Sequence, residues 1–138
     1  MDDQKFIAPY AGFPSFFNSP IIRLDQITEG MAVVAGVPID MGMVFARFGT
    51  RFGPRGIREV SLQSRAQAEG FPEKTIVDID SKLALRLKTN PLIGDIGDLT
   101  IYPTDLMKTT ESIKHGVSQI VRAGGFPVIL GGDHYVPF

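Results

Sequence analysis

The segment from Leu92 to Leu130 constrains the fold more than any other part of the chain. Leu92-Ile-Gly-Asp-Ile96 reads as an apolar strand that ends in Gly97-Asp98. A helix follows. Thr104 is its expected cap, and Asp105 falls in the first turn, where a carboxylate favours the positive end of the macrodipole. Leu106, Ile113, Val117 and Ile120 share a face at helical spacing, and Gly124-Gly125 stops the helix. Val128-Ile-Leu130 then forms a second apolar strand. A strand, a helix and a strand joined by short links imply a right-handed crossover and a parallel sheet.

The rest of the chain fits that α/β architecture. Met31-Ala-Val-Val-Ala-Gly-Val-Pro38 reads as a strand apolar on both faces, as buried parallel strands are. Residues 40–53 form a Gly- and Arg-rich loop. Pro54 opens a helix at its favoured first position. That helix runs to about Ala68, with Ile57, Val60, Ser61, Ser64 and Ala68 on one face, and Gly70-Phe-Pro72 stops it. Thr75 to Ile79 is a short strand, and Leu83 to Leu87 fits strand and helix alike. Residues 6–22 carry five aromatics and three prolines. Proline excludes a helix or a central strand there. This segment is an arm that covers its own domain or a neighbouring subunit. The expected division is an arm over 1–30 and an α/β domain over 31–138.

Composition narrows the function classes. A chain of 138 residues, 43% hydrophobic and 21% charged, buries one globular core. A net charge of −1 gives no general attraction to nucleic acid or anionic membrane. The absence of cysteine excludes disulfides, Cys-based zinc sites and a thiol nucleophile. The start, Met-Asp-Asp-Gln-Lys, is acidic where a signal peptide is basic, and the apolar run Met31 to Ile39 is too short to span a bilayer. A cytoplasmic protein without nucleic-acid or membrane partners is expected.

Several constellations can carry chemistry. Arg47, Arg51, Arg55 and Arg58 lie within twelve residues, two of them in the first turn of a helix. Positive charge there is unfavourable unless a negative group compensates. A bound anion can do so. So can internal carboxylates paired with the guanidinium forks. Asp40, Asp95 and Asp98 are expected at strand ends on one edge of the sheet. The internal network is favoured, because the glycines serve as turn devices and no Walker-type Lys-Ser/Thr follows. Asp78-Ile-Asp80 has period-two spacing that places both carboxylates on one side of a strand, either as half of a metal site or as solvated or Arg-paired acids. Asp95 and Asp98 are a catalytic pair or structural acceptors, with the structural reading favoured. His115 faces solvent. His134 differs, because it follows Gly131-Gly132 at a strand tip with Asp133 beside it. Ligands and catalytic groups collect at such tips in open α/β sheets.

These residues carry a resemblance. Gly36-Val-Pro-Ile-Asp40-Met-Gly42, followed by Arg47-x-Gly49-x-Arg51-x-Gly53-Pro54-Arg55-x-Ile57-Arg58, resembles the amino-terminal signature of the ureohydrolase (arginase/agmatinase) family. Asp95-Ile-Gly-Asp98-Leu is similar to its Asp-x-Gly-Asp element, and Phe126 to His134 is similar to its first metal motif. The similarity is greatest to agmatinases and guanidino-acid hydrolases. It implies a three-layer α/β/α fold with a parallel sheet, and a pair of manganese ions at the carboxyl end of that sheet. It further implies hydrolysis of a guanidino C–N bond to urea and an amine, and a homo-oligomer acting on a small guanidino substrate. His134 alone carries over as a metal ligand. The family's Asp-x-His-x-Asp and Asp-x-Asp motifs, which follow the His motif, are absent; Asp78-Ile-Asp80 does not stand in, because it precedes that motif and lacks the flanking residues, and Tyr135 stands where the family commonly has Ser. The chain ends four residues after His134. The expectation is therefore an incomplete, amino-terminal part of such an enzyme that is not competent alone. Two other expectations stand beside it: a truncated, non-catalytic module that associates with full-length subunits, and a small anion-binding α/β protein that uses the arginine loop.

Overall fold

The regular elements run β1 (Ala32–Val37), α1 (Gly53–Glu69), β2 (Thr75–Asp78), β3 (Leu83–Arg86), β4 (Ile93–Asp98), α2 (Leu106–Arg122) and β5 (Phe126–Gly131). They come from a computed structural model that describes residues 12–41, 48–69, 75–78, 80–86 and 93–137. β1, β4 and β5 form a parallel sheet in the order β4-β1-β5. The crossover β4–α2–β5 therefore passes over β1, which takes the central position. That position explains the unbroken apolar run of β1, which is buried from Val33 to Val37.

Strand alternation divides the core between two faces. Met31, Val33 and Ala35 meet Ile120 of α2, and Ile22, Leu24, Ile27, Ile96, Leu99 and Ile129 pack around them. Burial of each such aliphatic side chain contributes roughly 1.5–3 kcal/mol. The opposite face carries Val34 and Gly36 and lies under α1. A β-carbon on Gly36 would collide with the Asp98 carboxylate and stand 3.0 Å from an Arg58 nitrogen. With α1 and α2 on opposite faces, the expected three-layer α/β/α arrangement is observed.

The ends of α2 explain its length. Its cap is Asp105 and not Thr104. Asp105 has an extended backbone, and its carboxylate accepts the Lys108 N–H at 2.9 Å. A carboxylate there satisfies an orphan donor and also opposes the helix dipole, which a hydroxyl does only weakly. At the other end the Gly124 N–H donates to Val121 and the Gly125 N–H to Ile120, both at 3.0 Å, which is a Schellman closure.

Two expected patterns are corrected. α1 buries Pro54, Arg58 and Ser61; of the expected face Ser61 is buried, Ile57 is 42% and Val60 63% exposed, and the side chains of Ser64 and Ala68 lie outside the described residues. The buried face is rotated from the expected one toward Arg58 and shares Ser61 with it. The carboxylates beneath it select an arginine over the aliphatic residues. In addition, β2 and β3 pair antiparallel as a separate two-stranded ribbon outside the parallel sheet. The ambiguous segment is thus a strand. Asp80 lies in the turn after β2, so the period-two argument for Asp78 and Asp80 fails, and Ile79 lies outside the described residues.

The described part of the arm packs on its own chain. The Phe16 N–H donates to Asp95 at 2.9 Å, the Phe17 N–H donates to Ser61 Oγ at 2.9 Å, and Ile21 bridges to Asp95 beside β4. Among the described residues no helix is long and apolar enough to cross a membrane.

Candidate functional site

The arginine loop resolves into internal ion pairs. Arg58 is buried against β4. Its Nε and one terminal nitrogen donate to the two oxygens of Asp95 at 2.8 and 2.9 Å. Its other terminal nitrogen donates to Asp98 at 2.6 Å. Burial works against the Arg58 charge, but the Asp95 and Asp98 carboxylates outweigh it and hold the guanidinium above its ordinary value. Asp95 also accepts the Phe16 and Gly97 N–H groups, at 2.9 and 2.8 Å. One buried carboxylate thus joins the arm, β4 and α1.

That convergence depends on an irregularity in β4. Val34 pairs with Asp95 and Gly36 with Asp98, so β4 carries one extra residue over that interval. In a regular strand, residues three apart face opposite sides. The bulge, with Gly97 at φ 77°, re-aims the strand so that Asp95 and Asp98 reach the same guanidinium. Asp98 ends β4 as expected, whereas Asp95, expected at a strand end, sits inside the strand.

Arg51 and Arg55 are also paired. Arg51 Nε donates to Asp40 at 2.6 Å, and Arg55 Nε donates to Glu59 at 2.8 Å on the helix surface. The Arg51 hydrogen bond holds the Asp40 carboxyl below its usual range, with the Gly49 N–H as a further donor at 3.1 Å. Arg47 and Gly42 lie outside the described residues. The arrangement is a set of internal carboxylate–guanidinium contacts, so the anion-site reading of this loop loses three of its arginines.

His134 is exposed, in the turn that follows β5. The residues before it are held to the end of β1. The Gly132 N–H donates to the Val37 carbonyl at 3.1 Å, and the Asp133 N–H donates to the Ile39 carbonyl at 2.9 Å. Asp133 is buried and accepts the Tyr135 N–H at 3.0 Å. The Tyr135 hydroxyl meets Thr110 Oγ1 of α2 at 2.9 Å, so the residue in the place of the family's Ser ties the turn to a helix. His115 is exposed on α2, far along the chain from this turn. Sequence reasoning missed the turn Val37-Pro-Ile-Asp40 as the seat of the His134 segment. The proline directly after an apolar strand was the available signal.

A catalytic metal takes at least three protein ligands. Among the described residues no group of three His, Cys, Asp or Glu side chains stands close enough to hold one. These residues therefore do not fit a complete manganese site, and His134 is a single candidate donor at the strand tip.

A parallel sheet covered on both faces, with an imidazole at the carboxyl tip of a strand, defines a three-layer α/β protein, a class in which ligands bind at that edge. The arginase family model matches residues 31–138, and the chain belongs to the arginase family. It is 32% identical over 137 residues to the guanidinopropionase of Pseudomonas aeruginosa, covering 97% of this chain and 37% of that protein. It is 29% identical over 135 residues to the mitochondrial guanidino acid hydrolase of Homo sapiens, covering 97% of this chain and 34% of that protein. Among solved structures, a hypothetical agmatinase from Burkholderia thailandensis superposes with a TM-score of 0.69 at 27% identity, covering 94% of this chain and 37% of that one. The proclavaminate amidino hydrolase of Streptomyces clavuligerus superposes with a TM-score of 0.67 at 26% identity, covering 95% and 38% respectively. The chain thus spans about a third of the length of the relatives it matches.

Proposed function

We propose that these residues form the amino-terminal part of a manganese-dependent, agmatinase-like ureohydrolase. The reaction is hydrolysis of a guanidino C–N bond: water adds its oxygen to the guanidinium carbon, the amine leaves with a proton, and urea results. A guanidinium carbon is a weak electrophile, and manganese, with His134 as one of its ligands, would supply the activated nucleophile required at neutral pH. This chain's contribution is one imidazole, His134, presented at the carboxyl edge of the sheet.

The observation that carries the proposal is the setting of His134. It is exposed at the tip of β5, and both residues before it are fixed by main-chain bonds to the turn after β1. A side chain held that way, in a chain related to guanidino hydrolases, is supported as a ligand more strongly than as a solvated surface residue. We further infer a cytoplasmic homo-oligomer. The exposed Phe13, Phe48 and Phe52 suit a subunit contact, and a chain without cysteine suits a reducing compartment.

A second reading has its own observation. Among the described residues β5 is an edge strand, with Phe126 67% exposed, which favours a non-catalytic module that docks on the sheet of another subunit.

One experiment separates the readings. The 138-residue chain with excess manganese should release no urea from agmatine, guanidinobutyrate or guanidinopropionate above a metal-only blank. A chimera that joins this chain to the remaining residues of the Pseudomonas guanidinopropionase should release urea, and His134→Ala should lower that rate by about 100-fold or more with the melting temperature retained. Near-normal activity of the His134→Ala chimera at low manganese would sink the assignment. An inactive but soluble chimera would favour the association module.

A further inference from the structure

The end of β1 is shaped as a seat. The Ile39 N–H donates to the Val37 carbonyl at 2.9 Å, closing a tight three-residue turn at Pro38, whose ring restricts φ. The same Val37 carbonyl accepts the Gly132 N–H at 3.1 Å. Gly132 lies so close that a β-carbon on it would stand 2.7 Å from Ile39 N and 2.8 Å from the Val37 oxygen, both too near for a real side chain. Only glycine rests on this turn, and only there does the Asp133 N–H reach the Ile39 carbonyl at 2.9 Å. The next residue is His134.

The far side of the turn has its own anchor. The Ile39 carbonyl belongs to the peptide plane that leads into Asp40. The Asp40 side chain is buried and accepts Arg51 Nε at 2.6 Å and the Gly49 N–H at 3.1 Å. Thr50 Oγ1 donates to the Ile39 carbonyl itself, at 3.4 Å. If the Arg51 side chain is removed, a buried carboxylate keeps only main-chain donors and turns toward water. Thr50, the neighbour of Arg51, then loses its hold on the Ile39 carbonyl, and the acceptor for Asp133 moves. A displacement on the order of 1 Å at a reacting group is enough to impair function.

We propose that Asp40 and Arg51 are positioning residues for His134, acting through the Val37–Asp40 turn and the Gly132-Asp133 main chain. The proposal rests on the reading of His134 as a functional group. It assigns to the arginine loop a task in holding the strand tip, beyond packing α1 on the sheet.

The test is amide hydrogen exchange by NMR on the full chain, with Arg51→Ala, Arg51→Lys and Asp40→Asn. The Gly132 and Asp133 amides should exchange about tenfold faster in Arg51→Ala and Asp40→Asn. The Ile22 and Asp95 amides, bonded across the arm and β4, serve as reference and should not change. The His134 ring resonances should shift in the same variants. Arg51→Lys, which keeps a cationic donor, should recover part of the protection and also covers the case in which the alanine variant fails to fold. An equal rise at the reference amides would mean a loss of general stability and would overturn the proposal. Unchanged exchange at Gly132 and Asp133 would also overturn it. The chimera assay tests the role of His134 independently, so failure of that reading and failure of this one are distinguishable.

Discussion

Arg58→Ala should destabilise the fold by about 3 kcal/mol, at the low end of the 3–5 kcal/mol typical of removing one partner from a buried ion pair. Arg58 is 7% and Asp95 2% exposed, so the carboxylate left behind cannot be fully hydrated in place. Two main-chain donors, from Phe16 and Gly97, remain on Asp95 and keep the cost from the upper end. Asp98 is 45% exposed and regains water, so its lost contact adds little. A loss of 3 kcal/mol raises the unfolded fraction roughly 150-fold and lowers the melting temperature by about 10 °C. The assay is urea denaturation followed by circular dichroism, with the midpoint falling and the slope unchanged. Arg55→Ala is the control. It removes a solvent-exposed i,i+4 pair with Glu59 and should leave the midpoint within error. Asp95→Asn added to Arg58→Ala should recover part of the loss, because a neutral amide tolerates the site better than an unpaired charge. A fall of less than about 1 kcal/mol in Arg58→Ala, or no recovery in the double variant, would refute the buried-charge argument.

Other outcomes follow from the same contacts. The folded-state pKa of Asp40 lies below its unfolded value of about 3.9, so its stabilisation is present above about pH 4 and is lost as pH falls through the folded value. Arg51→Ala should therefore flatten the acid limb of a stability–pH profile, and superimposable acid limbs would count against the Asp40–Arg51 pairing. Phosphate should not raise the melting temperature of the unmutated chain, because Arg51, Arg55 and Arg58 are engaged by Asp40, Glu59, Asp95 and Asp98. A phosphate-dependent rise that vanishes in Arg51→Ala would restore the anion-binding reading.

The sequence by itself determined the parts that depend on neighbours along the chain. The apolar run of β1, the Gly-Gly stop after α2 and the short links around that helix were legible, because capping, turn closure and strand burial are local requirements. The family was legible for the same reason: its motifs are runs of adjacent residues. The sequence also favoured internal pairing of the arginine loop over a bound anion, since the glycines serve as turn devices and no Walker-type Lys-Ser/Thr follows. Only the tertiary structure decided which partners meet. Asp95 and Asp98 share Arg58 because a bulge at Gly97 turns a three-residue spacing onto one face, and sequence spacing alone predicts the opposite. The tertiary structure also chose which stripe of α1 faces the sheet, since periodicity fixes that a face exists and the carboxylates beneath fix which one. The seat for His134 belongs to this second class. Val37, Ile39 and Asp40 stand nearly a hundred residues from Gly132 and Asp133, and parallel pairing of β1 with β5 brings them together. Pairing of that kind depends on which strands become neighbours, and no local propensity encodes it.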